Sequence, residues 1–431
     1  MGASRKLARS TSRPHLSRRS LRASAVAVAA TTCGMLGAFV TSALAPLLRE
    51  DAVVTPARLG LAVAVYFAAS AIAAPLGGRL ADRVGSVRVM RLALVVGAAS
   101  LTGIAAAVHG WLSLTVLLGF AGATNGTIQP SANRYLSRLI PPERQGLAFG
   151  IKQAAVPAAI LLGGLAVPAA AYLSGWRSIY YAGAVLAIGV ALAIRKPSRP
   201  PPEHHAPRST PPATVPATVP PAAGASAPVT PSPLPRSALL VLAAGWALAS
   251  AGANGLGAFF VLGAVDAGFL TVTAGMLAVL GALASIGTRV GIGFFADGWT
   301  GKGFGVVAAM SAVGAGGVAL LATGAAWTFV VAAIVGYGIG WGWAGVFSYA
   351  IVRTAPSQPG RTTGVTQAGA GIGACAGPLA FGAIVTHSGY APAWLAAGAA
   401  LLLASAVIVT GRAMLPASVP GPAGRAATAS S

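Results

Sequence analysis

The sequence predicts an all-α integral membrane protein of twelve transmembrane helices in two pseudo-symmetric six-helix bundles, with N- and C-termini cytoplasmic. Three observations carry that expectation. Hydrophobic residues make up 55% of the chain and charged residues only 8%, a balance far from that of a water-soluble domain. Apolar runs long enough to cross a hydrocarbon core of about 30 Å recur along nearly the whole sequence, and short polar turns break them. Basic residues fall in the N-terminal tail, in every even-numbered loop and in the C-terminal tail, while only Arg49, Arg58 and Arg177 stand on the other side. That bias is the positive-inside rule, and it sets the orientation. The net charge of +22 is thereby assigned to topology. No basic patch is interleaved with aromatics on a soluble stretch, so the expected partner is the lipid bilayer and not a nucleic acid.

Taken in order, residues 1–23 form a basic cytoplasmic tail. Its Ser17–Arg22 stretch, followed by an apolar run and Ala43-Leu44-Ala45, has the outline of a cleavable export signal. The run is too long for a signal core, and cleavage would leave an odd number of helices, so it reads as the first span. The N-terminal six-helix half covers 24–195, with spans at 24–48, 57–80, 89–108, 111–134, 147–171 and 177–195. Residues 196–236 are rich in Pro, Ala and Thr and form a cytoplasmic linker, a composition that disfavours helix and sheet. The second half covers 237–411, with spans at 237–262, 271–296, 303–323, 327–352, 362–386 and 390–411, and a short tail follows at 412–431. These runs lack the short alternating strands of a membrane barrel. Cys33 and Cys375 lie inside spans and read as small buried residues. No metal site and no cofactor is expected; His204 and His205 in the linker lack further ligands.

The two halves repeat at an offset of about 214 residues. Gly150-Ile151-Lys152-Gln153 in the fifth span matches Gly364-Val365-Thr366-Gln367 in the eleventh, and Gly175-Trp176 matches Gly389-Tyr390. Asp82 after the second span likewise matches Asp297 after the eighth. Equal topology in both halves means a parallel repeat, which places a solute site at the shared interface near the midplane.

Between the second and third spans stands Gly77-Gly78-Arg79-Leu80-Ala81-Asp82-Arg83-Val84-Gly85-Ser86-Val87-Arg88. This run resembles the G-x-L-a-D-r-x-G signature of the major facilitator superfamily, complete at Gly78, Leu80, Asp82, Arg83 and Gly85 and followed by Arg88. With twelve spans, the repeat and a long central loop, the resemblance covers nearly the whole chain. Gly78 is expected to let two backbones approach, and Asp82 to accept from the open N–H groups of a helix start. The resemblance implies that this helix is the eleventh span, near Thr362-Thr363-Gly364, and that the contact is a gate on the cytoplasmic side. The alternative is a basic loop that only satisfies topology. The second copy keeps Asp297 but follows it with Gly298-Trp299 instead of an Arg. The antiporter Gly-Pro signature is absent from the fifth span, while Gly373–Pro378 carries such a string in the eleventh.

In this family the first, fourth, seventh and tenth spans line the cavity. Polar residues share faces there: Asn125, Gln129 and Asn133 in the fourth span, Trp246, Ser250 and Asn254 in the seventh, and Tyr337, Trp341 and Tyr349 in the tenth. Each either contacts solute or bonds a neighbouring helix. Lys152, beside Gln153, and Arg289 are cations inside spans, and Gln367 is the repeat partner of Gln153. Arg289 with Gly293, Ala296 and Asp297 is similar to the R-x-x-x-G-x-x-A-D pattern of monocarboxylate and other organic-anion carriers, cyanate-permease-like ones included. A guanidinium can hold a carboxylate through two parallel hydrogen bonds, although Arg289 can also pair with Asp297 or a loop carbonyl and Lys152 can reach the interface. No Asp or Glu falls near the middle of a span, and drug exporters of this family usually need one.

The expected function is therefore secondary transport of a small organic anion by alternating access across a bacterial inner membrane. Multidrug or metabolite export is the alternative, and a non-transporting solute sensor a third reading. A proton travelling with the solute is the expected coupling ion, and the monomer the expected functional unit. No paired interior carboxylates and no nucleotide loop point to an enzyme.

Overall fold

The computed structural model describes residues 18–51, 54–141, 148, 150–194, 234–296, 303–354 and 359–415. The first part of the basic tail, the linker from 195 to 233, Asp297 with residues 298–302, and the C-terminal tail from 416 lie outside the described residues. Among the described residues, twelve helices are long and apolar enough to cross a membrane. They are α1 (Arg18–Ala43), α2 (Pro56–Val84), α3 (Ser86–Ala107), α4 (Trp111–Leu139), α5 (Gly150–Tyr172) and α6 (Trp176–Ala193), then α7 (Arg236–Asp266), α8 (Thr271–Ala296), α9 (Gly303–Thr323), α10 (Ala326–Thr354), α11 (Pro359–Ser388) and α12 (Tyr390–Ala413).

The Gly-aromatic repeat marks equivalent helix starts. Gly175 and Gly389 have φ of 94° and 85°, in the left-handed region, immediately before α6 and α12. A side chain would strain that backbone. Packing repeats as well: α1 lies on α5 as α7 lies on α11, α2 on α4 as α8 on α10, and α3 on α6 as α9 on α12. The halves meet along α2 with α11 and α5 with α8.

Small residues set how closely these helices approach, since lipid gives helices no hydrophobic reason to associate. On α11, a Cβ added at Gly369, Gly373 or Gly377 would lie 2.3, 1.9 or 2.2 Å from the carbonyl oxygens of Ala243, Ala247 and Ala251 on α7. Backbone therefore lies directly on backbone. Two helix starts and ends define the faces: α1 begins and α12 ends on one, termed the termini face. On the opposite face the halves are sealed. A Cβ at Gly60 (α2) would come 2.4 Å from the Pro378 carbonyl, and one at Gly382 (α11) 2.5 Å from the Pro56 carbonyl. Between α5 and α8, a Cβ at Gly164 would lie 2.7 Å from the Gly275 carbonyl and one at Gly275 2.8 Å from the Gly164 carbonyl. Toward the termini face, Gly364 on α11 has open space around it.

Two helices are interrupted. In α5, Gln153 and Ala154 form a turn whose N–H groups reach back three residues, to Gly150 and Ile151, before regular helix resumes at Ala155. In α10, a wide π segment, Ala332–Ile339, runs into a turn at residues 340–343 before helix resumes at Ala344. Both breaks fall on the seam between the halves, and irregular backbone at membrane depth is a mark of functional sites.

Candidate functional site

Lys152 is buried, with 5% of its surface exposed. Its ammonium donates to Gln129 Oε1 at 2.5 Å and to Asn133 Oδ1 at 2.8 Å. The i, i+4 spacing of the two amides on α4 makes this fork, and the turn after Lys152 in α5 aims the ammonium at it. Because both amide oxygens face Lys152, their NH2 ends are left to donate elsewhere. Asn133 is itself exposed.

Arg289, on α8, approaches the same break in α5. Its Nη1 donates to the Gln153 carbonyl at 3.2 Å, its Nη2 to the Trp341 carbonyl at 2.6 Å, and its Nε to Ser285 Oγ at 3.4 Å. The Gln153 carbonyl needs such a donor, because the residue four positions on is Pro157, which has no N–H. Among the described residues the ion pairs are Arg134 with Asp82 and Arg177 with Asp51. Neither Lys152 nor Arg289 meets a carboxylate among them. The two cations and the fork thus present an ammonium, a guanidinium and two amide NH2 groups, a donor set with a net positive charge and no compensating acid among the described residues.

The other expected site residues are distributed differently. Asn125 is buried and donates to Ser70 Oγ of α2 at 2.9 Å, which makes it a contact within its own half. Trp246 packs against Trp343 and Phe347, with ring centroids 5.8 and 4.5 Å away. Asn254 donates to the carbonyl and hydroxyl of Ser250, and Ser250 in turn donates to the Ala370 carbonyl of α11. The seventh-span face thus holds helix to helix. Tyr349 accepts from Arg353 at 2.6 Å, Gln367 is exposed on α11, and Gln153 contributes its carbonyl. Tyr337 and Trp341 stack at 5.9 Å, and Trp341 also meets Phe39 of α1 at 5.9 Å across the seam. Cavities of about 200 and 160 Å³ elsewhere are lined by neither Lys152 nor Arg289.

The motif occupies the last turns of α2 and the start of α3. The close approach falls at Gly77, where a Cβ would lie 2.6 Å from Thr127 Cα, while at Gly78 it would meet only Pro130 at 3.7 Å. Asp82 is exposed and pairs with Arg134 of α4, in its own half. Helix α11 begins at Pro359, so Thr362 and Thr363 already lie within it. Leu80, Arg83 and Arg88 are exposed, and Gly85, with φ of 94°, separates α2 from α3. Sequence reasoning missed Arg134 and Ser285, and it did not show which carbonyls Arg289 reaches; Pro157 and the glycines of the tenth span were the signals for these.

Twelve membrane-spanning helices in two like-built halves, with irregular helices and polar groups at their seam, define a polytopic membrane carrier. The family profile described as Major Facilitator Superfamily matches residues 27–378, and the chain belongs to that superfamily of transporters. It is 30% identical over 171 residues to the probable sulfoacetate transporter SauU of Cupriavidus necator, covering 38% of each chain. It is also 32% identical over 165 residues to the multidrug resistance protein MdtG of Citrobacter koseri, covering 35% of this chain and 39% of that one. These stretches span well under half of either relative. Among solved structures, a bacterial homolog of the human lysosomal transporter Spinster, inward-facing and occupied, matches with a TM-score of 0.61 at 17% identity, covering 93% of this chain and 97% of that one.

Proposed function

We propose that this protein moves a small organic anion by alternating access, binding it at Lys152, Gln129, Asn133 and Arg289. One observation carries the reading: Lys152 stands at the break in α5, Arg289 bonds the Gln153 carbonyl of the same break, and neither cation has a carboxylate partner among the described residues. An unpaired charge in a membrane interior is expensive, and an anionic solute supplies the missing countercharge. Lys152 has one N–H left after its two amide bonds, and the amides add two NH2 donors. The likeness to a probable sulfoacetate transporter supports an anion.

Around that core we place the rest of the account. The basic-residue bias supports a termini face in the cytoplasm of a bacterial inner membrane, and with it an external sealed face and an inward-facing state. A proton travelling with the anion serves as coupling ion, the monomer is the working unit, and Asp82 with its motif gates the cytoplasmic side. The likeness to MdtG favours a second reading, multidrug export.

Thermal unfolding of the purified protein against small carboxylates, sulfonates, inorganic anions and lipophilic cations separates the two. An anion at 100 times its Kd should stabilise by about 2.7 kcal/mol, and Lys152→Ala should lose that response. Stabilisation by lipophilic cations alone would leave the export reading standing and sink the anion site.

A further inference from the structure

We propose that Arg289 is a strap across the two halves that holds the opposite face shut, and that a bound anion releases it by taking its donors; the release step rests on the anion site proposed above. Gln153 belongs to α5 in the first half, while Arg289 and Trp341 belong to α8 and α10 in the second. One guanidinium therefore bridges two interrupted helices across the seam.

Both acceptors are products of local sequence. Pro157 withholds the N–H that would close an i to i+4 bond on the Gln153 carbonyl. The Trp341 carbonyl stands in the turn that separates the π segment of α10 from its final helix. Glycines shape that turn: a Cβ at Gly340 would lie 2.5 Å from the Gly336 carbonyl, and one at Gly342 2.5 Å from the Gly338 carbonyl.

The same turn carries the side chain that closes the seam. The Trp341 indole is buried against Phe39 of α1, and a Cβ at Gly257 of α7 would come 2.8 Å from the indole and 3.3 Å from the Phe39 ring. Trp341 thus wedges α1 to α7 in the half of the membrane nearer the sealed face. Pulling on its carbonyl fixes the turn, and fixing the turn fixes the wedge. A carboxylate is a stronger acceptor for a guanidinium than a neutral carbonyl, and it can engage two N–H groups at once. Anion binding therefore competes directly with both strap contacts. A ligand that binds one state better shifts the population toward it, and here that state is the one in which the strap is open.

Two variants isolate the strap. Arg289→Met removes the donors and keeps an apolar stem. Pro157→Ala restores an N–H for the Gln153 carbonyl, so the carbonyl no longer depends on Arg289, while Lys152 and Arg289 both remain for the anion.

The test places spin labels at Arg49→Cys and Ala267→Cys, exposed positions on the opposite face in different halves, with Cys33→Ala and Cys375→Ala in the background. Distances between the labels are measured by pulsed electron resonance on the full chain. Without anion, the parent should give a short distance, and Arg289→Met and Pro157→Ala should each add a longer component. Acetate, sulfoacetate or another small anion that stabilises the parent in thermal unfolding should add the same component to the parent. Parent-like distances in both variants overturn the strap. Should the variants shift while no anion stabilises or moves the parent, the strap holds and the release by anion falls with the anion site. Stabilisation by an anion without any shift in the parent overturns release alone.

Discussion

Replacing Gly373 with alanine adds one methyl group where there is no room for it. The new carbon would lie 1.9 Å from the Ala247 carbonyl oxygen and 2.9 Å from Ser250 Cβ. A carbon and a carbonyl oxygen rest no closer than about 3.3 Å, so α11 must retreat from α7 by roughly 1.4 Å. Separations of that size forfeit at least half of the dispersion energy of each affected contact, and the retreat also lifts Gly369 and Gly377 off Ala243 and Ala251. Overpacking of this kind costs about 1–3 kcal/mol, against a helix-propensity gain for alanine of about 1 kcal/mol. Gly364 on the same helix is the internal control, because a Cβ there meets nothing within 4 Å. Gly364→Ala should keep the propensity gain alone. Thermal unfolding in detergent should therefore rank Gly364→Ala at or above the parent and Gly373→Ala below it; the propensity gain is common to both, so the overpacking cost of about 1–3 kcal/mol separates the variants. Equal midpoints for the two variants would refute the backbone-on-backbone packing of α11 and α7.

Other perturbations follow from the same contacts. Asp82→Asn removes an exposed ion pair with Arg134 and should change unfolding stability by less than about 1 kcal/mol. Its transport rate in vesicles should nevertheless fall, and an unchanged rate would reduce the motif to a topogenic loop. Trp246→Ala empties the buried cluster with Trp343 and Phe347 and should destabilise by about 3–5 kcal/mol. Anion affinity of the folded fraction, measured by calorimetry, should stay at the parent value; a large loss would return Trp246 to the binding site. Tyr349→Phe removes only the bond from Arg353 and should leave that affinity unchanged by the same measurement.

Twelve spans and the family were legible because hydropathy and charge bias report the bilayer directly, and the repeat reports the two halves. The fork of Gln129 and Asn133 was legible too, since i, i+4 spacing stacks side chains whatever the neighbouring helix does. What lies opposite a polar face was not. Trp246, Ser250 and Asn254 share a face as their spacing implies, yet the glycine ladder of α11 brings a second backbone against α7 and turns Ser250 into a helix-to-helix bond. Asp82 found its partner one helix away, in Arg134, because α2 and α4 pack closely through Gly77 and Thr127. The partners of Arg289 are main-chain carbonyls released by breaks in α5 and α10. A hydropathy pattern does not show such breaks, and Pro157 with the run Gly336–Gly345 was their only trace in the sequence.

Counterflow in proteoliposomes tests the anion site most directly. Vesicles loaded with whichever anion stabilises the purified protein should accumulate the labelled anion, and Lys152→Gln should weaken that anion's apparent affinity on the order of tenfold or more, since hydrogen bonds to charged groups contribute about 1.5–3 kcal/mol. Accumulation of a lipophilic cation in place of every anion, or parent-like counterflow by Lys152→Gln, would contradict the account.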